Sequence, residues 1–267
     1  MNAAKLLEVA KRAALEAGKL QLKYYGKLKT SEISQKTKND FVTKVDKMSE
    51  KLIIGRILKV FPDHSIQAEE SGVTPGDGTR WIIDPLDGTS NYIHRFPMFA
   101  VSIGVVHRNQ LVAGVIYDPL HGELFTARKD HGAFLNGRRI HVNDTRRLAS
   151  SFMATGIPFR ARNRFQQYFR SLKTISLASA GMRRGGSAAL DLAYVACGRF
   201  DGFWEINLSP WDIAAGALLI REAGGRITDL WGSERYLDNG DVLASNAKIH
   251  AELLRVTRRV FTRKKKR

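Results

Sequence analysis

A buried-type run, Trp81-Ile82-Ile83, stops abruptly at Asp84-Pro85-Leu86-Asp87-Gly88-Thr89-Ser90-Asn91, and this junction limits the possible folds more than any other stretch of the chain. Three apolar residues in succession read as the end of a strand covered on both faces. Pro85 fixes its own φ and restricts Asp84 before it, so both aspartates are held on one stiff corner. Two hard-oxygen donors so placed suit Mg²⁺, and Leu86 between them can add its carbonyl. Gly88 lets the backbone approach a ligand closely, while Thr89 and Ser90 present hydroxyls and amides where an anion needs them. The competing reading is a strand followed by an Asx-type turn with solvated aspartates.

Other acids fall where complementary ligands would be required. Ile66-Gln67-Ala68-Glu69-Glu70 is a second short apolar run ending in carboxylates, and burying such charge without a partner is costly. Ser209-Pro210-Trp211-Asp212 has a helix-start signature followed by an apolar face, with Asp212 in the first turn as either a helix-dipole acid or a ligand. Asp46 opens a helical pattern running to about Val60, where it acts on a water or pairs with a lysine.

With 267 residues and 43% hydrophobic content, the chain can bury a substantial core. No apolar run reaches the ~18 residues of a membrane span and no export signal is apparent, which predicts a cytoplasmic protein with no membrane partner. The single cysteine, Cys197, reads as an inert thiol on a core helix. Periodicity predicts helices near 3–25 and 43–60, then strands near 64–68, 80–84, 99–107, 111–118 and 122–127. Beyond these it predicts strands near 150–155, 180, 200–205, 226–229 and 242–245, alternating with helices near 162–175, 187–197, 211–223 and 247–261. Such alternation implies stacked α/β layers with a mixed sheet. Thr30 to Asn39 reads as an exposed loop, with a lid as the alternative.

Charge is uneven. The net is +17, yet eleven Lys or Arg and one acid, Asp144, lie between Arg138 and Arg184, and eight cations with no acid lie between Arg255 and Arg267. These blocks attract anions, either a substrate phosphate or an RNA backbone, or they are simply solvated. No RNA-binding signature with stacking aromatics is visible, so specific RNA recognition is not predicted.

The aspartate junction, together with Trp211-Asp212-Ile213-Ala214-Ala215-Gly216 and its continuation to Gly225, resembles the Mg²⁺-dependent, lithium-sensitive inositol monophosphatases of the fructose-bisphosphatase-like superfamily. The resemblance runs from Asp40 to Asn246, and is nearest to the bacterial extragenic-suppressor branch through Asn39-Asp40-Phe41-Val42-Thr43, Tyr117-Asp118-Pro119 and Gly186-Ser187-Ala188. Ala68 stands where many relatives have glycine. The resemblance implies a five-layer α-β-α-β-α sandwich. It also implies one catalytic domain over 1–262, with a metal-site half to about 145, a second α/β half from 146, and a basic tail at 263–267.

By the same resemblance, Glu69, Asp84 and the Leu86 carbonyl hold one Mg²⁺, and Asp84, Asp87 and Asp212 a second, with a third ion as an option. Thr89, with Glu69 and Asp46, orients the attacking water. The amides of Gly88 and Thr89 bind phosphate, while Ala188, Glu205 and Asp212 contact the polyol. The implied activity is hydrolysis of myo-inositol 1-phosphate by a homodimer, with 3′-phosphoadenosine 5′-phosphate or fructose 1,6-bisphosphate as alternative substrates. A different implied role is that of a non-catalytic partner in Nus-type transcription antitermination and ribosomal RNA synthesis. Arg183 and Arg184 then mark a self-association or partner surface, or a salt-bridged pair.

Overall fold

The computed structural model describes residues 2–37, 40–159 and 161–261. Asn39, Arg160 and the basic tail at 263–267 lie outside the described residues. In chain order the elements are α1 (Ala3–Tyr24), β1 (Ile33–Thr37), β2 (Asp40–Thr43), α2 (Lys44–Val60), β3 (Ser65–Ala68), β4 (Gly72–Thr74), β5 (Thr79–Asp87), α3 (Thr89–Ile93), β6 (Ala100–His107), β7 (Gln110–Asp118), β8 (Glu123–Arg128), β9 (Gly132–Leu135) and β10 (Arg138–Ile140). There follow β11 (Phe152–Thr155), α4 (Phe165–Ala178), β12 (Gly181–Arg183), α5 (Ala188–Ala196), β13 (Gly202–Glu205), α6 (Pro210–Glu222), β14 (Arg226–Thr228), α7 (Tyr236–Asn239), β15 (Val242–Ser245) and α8 (His250–Val260).

Five layers result, as the resemblance implies. An eight-stranded sheet ordered β10-β9-β8-β7-β6-β5-β3-β4 and a five-stranded sheet ordered β12-β11-β13-β15-β14 enclose α5 and α6. Helices α1 and α2 cover the outer face of the first sheet, and α4 and α8 that of the second.

The sequence explains each layer. Asn2 caps α1 by accepting from the Ala4 and Lys5 amides, and the helix buries a stripe of Leu6, Ala10, Ala13, Ala14, Ala17 and Gly18. Small residues bring α1 against the sheet; a Cβ on Gly18 would fall 2.4 Å from the Tyr117 ring. In α6 every residue from Ile213 to Ile220 is buried, as a helix sandwiched between two sheets requires. Gly104 of β6 and Gly114 of β7 are cross-strand partners under this helix. A Cβ on Gly104 would lie 2.6 Å from the Ala214 Cβ, and one on Gly114 3.0 Å from the Ala215 carbonyl oxygen, so α6 rests on bare backbone.

Of the segment expected as a loop at Thr30–Asn39, residues 30–37 are instead a short 3-10 turn leading into β1, which pairs antiparallel with β2, and residues 38 and 39 lie outside the described residues. The helix expected from 162 begins as a 3-10 turn, Arg162–Arg164, before α4 proper. Short strands β4, β9 and β10 and the small helices α3 and α7 carry too few residues for a visible period. Cys197 ends α5, half-buried, with burial raising its thiol pKa. Among the described residues, no helix is long and apolar enough to cross a membrane.

Candidate active site

Strand β5 pairs with β6 as far as Asp84 opposite Ser102, then slips and resumes at Asp87 opposite Ala100. Pro85, which lacks an N–H, sits in the gap. The Leu86 amide donates to Asp84 Oδ1 at 2.9 Å, which fixes the first aspartate over the bulge. Gly88 has φ +88°, a conformation that favours glycine, and precedes α3 directly. A side chain there would also meet the Met98 carbonyl at 2.9 Å.

The third acid arrives on α6. Asp212 Oδ2 accepts from the Ser209 amide at 2.7 Å, and Pro210 occupies the first turn. Ser102 Oγ donates to the Trp211 carbonyl at 3.0 Å, tying the start of α6 to β6. Asp87 Oδ2 accepts from Ser187 Oγ at 2.6 Å and from the Ala189 amide at 2.8 Å, so the start of α5 meets the same point. Asp84, Asp87 and Asp212 thereby offer oxygens that all lie within 4.8 Å of one another. Glu69 follows β3, with its amide bonded to the Ile83 carbonyl and its carboxyl within hydrogen-bonding reach of Asp84.

Electrostatics say what the cluster lacks. Burial and then the neighbouring charges of Glu69, Asp87 and Asp212 drive the Asp84 pKa well up; burial and then Asp87 and Glu69 do the same to Asp212. Asp87 is raised by burial against the hydrogen bonds from Ser187 and Ala189, and Glu69 by burial against Lys36. Carboxylates packed this tightly stay ionised only when a multivalent cation replaces the lost hydration and offsets their repulsion. An all-oxygen donor set fits Mg²⁺ or a similar hard divalent ion.

The remaining expected residues gather around a cavity of about 160 Å³ lined by Glu69, Gly88, Thr89, Ala188, Glu205 and Asp212, with α5 and α6 both beginning at its wall. The dipoles of those two helices favour an anion there. Thr89 Oγ1 lies 2.9 Å from Asp46 Oδ1 and 3.0 Å from the Leu86 carbonyl oxygen. Asp46 is 1% exposed and, among the described residues, pairs with no lysine; its other oxygen takes the Thr43 amide and hydroxyl, and burial lifts its pKa to about 6. The Gly88 amide is engaged by the Asp87 carboxylate. Glu205 packs on the backbone of Gly156, whose added Cβ would sit 2.0 Å from Oε2.

Three contributors were not singled out in the sequence as site residues. Lys36 reaches from β1 to place Nζ 3.2 Å from Glu69 and 2.5 Å from Glu70. Ser187 binds Asp87, and Gln21 of α1 donates to the Pro85 carbonyl at 2.7 Å. Ser187 alone carried a local signal, since it caps α5.

The sequence profile of the inositol monophosphatase family matches residues 2–261. The Nus factor SuhB of Escherichia coli K12 is 47% identical over 251 residues, spanning 93% of this chain and 94% of that protein. The inositol-1-monophosphatase of Mesorhizobium japonicum is 43% identical over 256 residues, spanning 95% and 96%. The crystal structure of extragenic suppressor protein SuhB from Bartonella henselae superposes with TM-score 0.92 at 42% identity, covering 95% of this chain and 98% of that one. On sequence and fold alike, the chain belongs to the inositol monophosphatase family.

Proposed function

We propose that the chain is a Mg²⁺-dependent phosphomonoesterase acting on a small polyol phosphate, with myo-inositol 1-phosphate as the favoured substrate. The observation that carries this reading is the convergence of Asp84, Asp87 and Asp212 within 4.8 Å in a chain of this family. Residues 1–262 are read as one catalytic domain, cytoplasmic and paired as a homodimer.

Asp84, Asp87, Asp212, Glu69 and the Leu86 carbonyl would hold the metal. When bound, Mg²⁺ lowers the pKa of a water and screens the phosphate and its leaving oxygen. The chain itself does the positioning. Thr89 Oγ1, held 2.9 Å from Asp46, orients the attacking water, and an Asp46 carboxyl with a pKa of about 6 can take up a proton near neutral pH. The helix starts at Thr89 and Ala188 present backbone dipoles to the phosphate. Attack is in line, with no covalent enzyme intermediate. Glu205 and Ala188 flank the space left for the alcohol, where a carboxylate accepts from hydroxyl groups.

The test is phosphate release from inositol 1-phosphate, fructose 1,6-bisphosphate and 3′-phosphoadenosine 5′-phosphate, with and without Mg²⁺, alongside Asp87→Asn. Turnover of the inositol ester that needs Mg²⁺ and vanishes in the variant is the expected result. Negligible turnover of all three by folded protein would overturn it.

A second reading rests on the 47% identity to a protein named as a Nus factor: a partner role in transcription antitermination. Retention of that role by Asp87→Asn would separate it from catalysis.

A further inference from the structure

Where β5 slips against β6, the carbonyls of the intervening residues lose their ladder partners. Each nevertheless has a polar neighbour. The Leu86 carbonyl faces Thr89 Oγ1 at 3.0 Å, and the Pro85 carbonyl accepts from Gln21 Nε2 at 2.7 Å. Gln21 comes from the outer helix α1, 64 positions earlier, and is fully buried. Its own backbone carbonyl accepts from Tyr92 Oη at 2.7 Å, and Tyr92 lies in α3 just beyond the aspartate corner. One residue of α1 therefore clamps the corner on both sides.

The side-chain half of this clamp acts through a single amide hydrogen. Among the described residues Gln21 Oε1 has no hydrogen-bond partner, so Nε2 alone accounts for a polar side chain in an otherwise apolar stripe. Such a residue carries a standing cost, since a buried amide oxygen without a partner is destabilising. A nonpolar side chain of similar volume would serve helix packing better. The donor matters where it points, at the peptide joining Pro85 to Leu86. Rotation of that peptide would carry the Leu86 amide off Asp84 Oδ1, which it holds at 2.9 Å, and so change the placing of Asp84 against Asp87.

We propose that Gln21 is a positioning residue for the metal cluster, holding the Pro85–Leu86 peptide in the orientation in which the Leu86 amide fixes Asp84 and lets Asp84 and Asp87 converge on one cation. The proposal rests on the reading of that cluster as a metal site. Gln21 touches neither metal nor substrate and acts wholly through the Pro85 carbonyl.

The test uses Mn²⁺ as probe, titrated into the full chain and followed by the loss of its free-ion electron paramagnetic resonance signal. Gln21→Met keeps the volume and removes the donor; Leu6→Ala, a buried position on the same helix, destabilises α1 packing without touching the corner. Mn²⁺ affinity is expected to fall about tenfold in Gln21→Met, the change that about 1.4 kcal/mol of lost interaction produces. In Leu6→Ala it is expected to stay at the level of the unaltered chain, although its thermal midpoint drops as far or further. Phosphate release should show the same split, with the Mg²⁺ requirement of Gln21→Met shifted upward and recovered at high Mg²⁺. Equal Mn²⁺ affinity in Gln21→Met and the unaltered chain would overturn the proposal, as would an equal loss in Leu6→Ala. Failure of the unaltered chain to bind Mn²⁺ would overturn the metal reading and this proposal with it.

Discussion

Ser187 Oγ lies 2.6 Å from Asp87 Oδ2, although the two residues are 100 positions apart. The same serine accepts from the Leu190 amide as the cap of α5, so one side chain both starts a central helix and holds a proposed metal ligand of the first sheet. Ser187→Ala removes a hydrogen bond to a carboxylate and a helix cap, interactions worth about 1.5–3 and about 1 kcal/mol. Mg²⁺-dependent phosphate release should fall by about tenfold and the thermal midpoint by several degrees, measured on the same preparation.

Two glycines should answer oppositely to alanine. At Gly104 the new methyl meets the Ala214 Cβ at 2.6 Å, and overpacking of this kind costs about 1–3 kcal/mol. Gly55, in the middle of α2, has nothing within 4 Å of an added Cβ. Gly55→Ala should therefore stabilise by up to about 1 kcal/mol through helix propensity. Urea midpoints of the two variants, taken together, check both signs.

His250 is 1% exposed, with Nε2 3.0 Å from Thr228 Oγ1 and Nδ1 2.9 Å from Ser245 Oγ. Burial, and then Arg226, lowers its pKa from 6.5 to about 4. Between those values the unfolded chain takes up a proton that the folded chain refuses, so stability falls as pH drops from about 6.5 towards 4 and is untouched above neutrality. At ~1.4 kcal/mol per pH unit the loss is on the order of 3 kcal/mol. Urea unfolding at pH 7 and pH 4.5 should show a smaller drop in His250→Gln than in the unaltered chain.

Lys36 puts an ammonium beside Glu69 and Glu70, where it would compete with the proposed divalent cation for the same carboxylate. Lys36→Met should tighten Mn²⁺ binding roughly threefold and lower the stability of the metal-free chain. Titration and thermal melts without added metal test the two halves. Weaker Mn²⁺ binding in the variant would show that Lys36 supports the cluster instead of competing with it.

The aspartate corner was readable because its signals are local: Pro85 and Gly88 impose backbone states by themselves, and Asp212 announces itself through Ser209 and Pro210 as a helix start. The layered architecture was readable from alternating periods. Ile33-Ser34-Gln35-Lys36-Thr37 was not readable as a strand, because β1 pairs only with β2 and shows no clean alternation of buried and exposed residues. Gln21 and Lys36 were hidden for another reason. Their roles exist only once α1 and the β1–β2 hairpin are brought against β5 and the turn after β3, and nothing within a few residues of either specifies that meeting. For Asp46 the sequence left a water or a lysine as the partner; folding supplied Thr89 and Thr43.

Helix α6 lies on the backbones of Gly104 and Gly114 with nothing larger than the Ala214 methyl between. The span from Asp212 across to Asp84 is thus a gauge set by two main chains in contact, and side-chain repacking elsewhere in the interior has little leverage on it. The cavity wall at 156–159 and 205–208 lies outside that contact. A lineage built on this scaffold can diversify the alcohol it accepts while the gauge beneath stays at one setting, and the first substitution to reach Gly104 would forfeit that freedom.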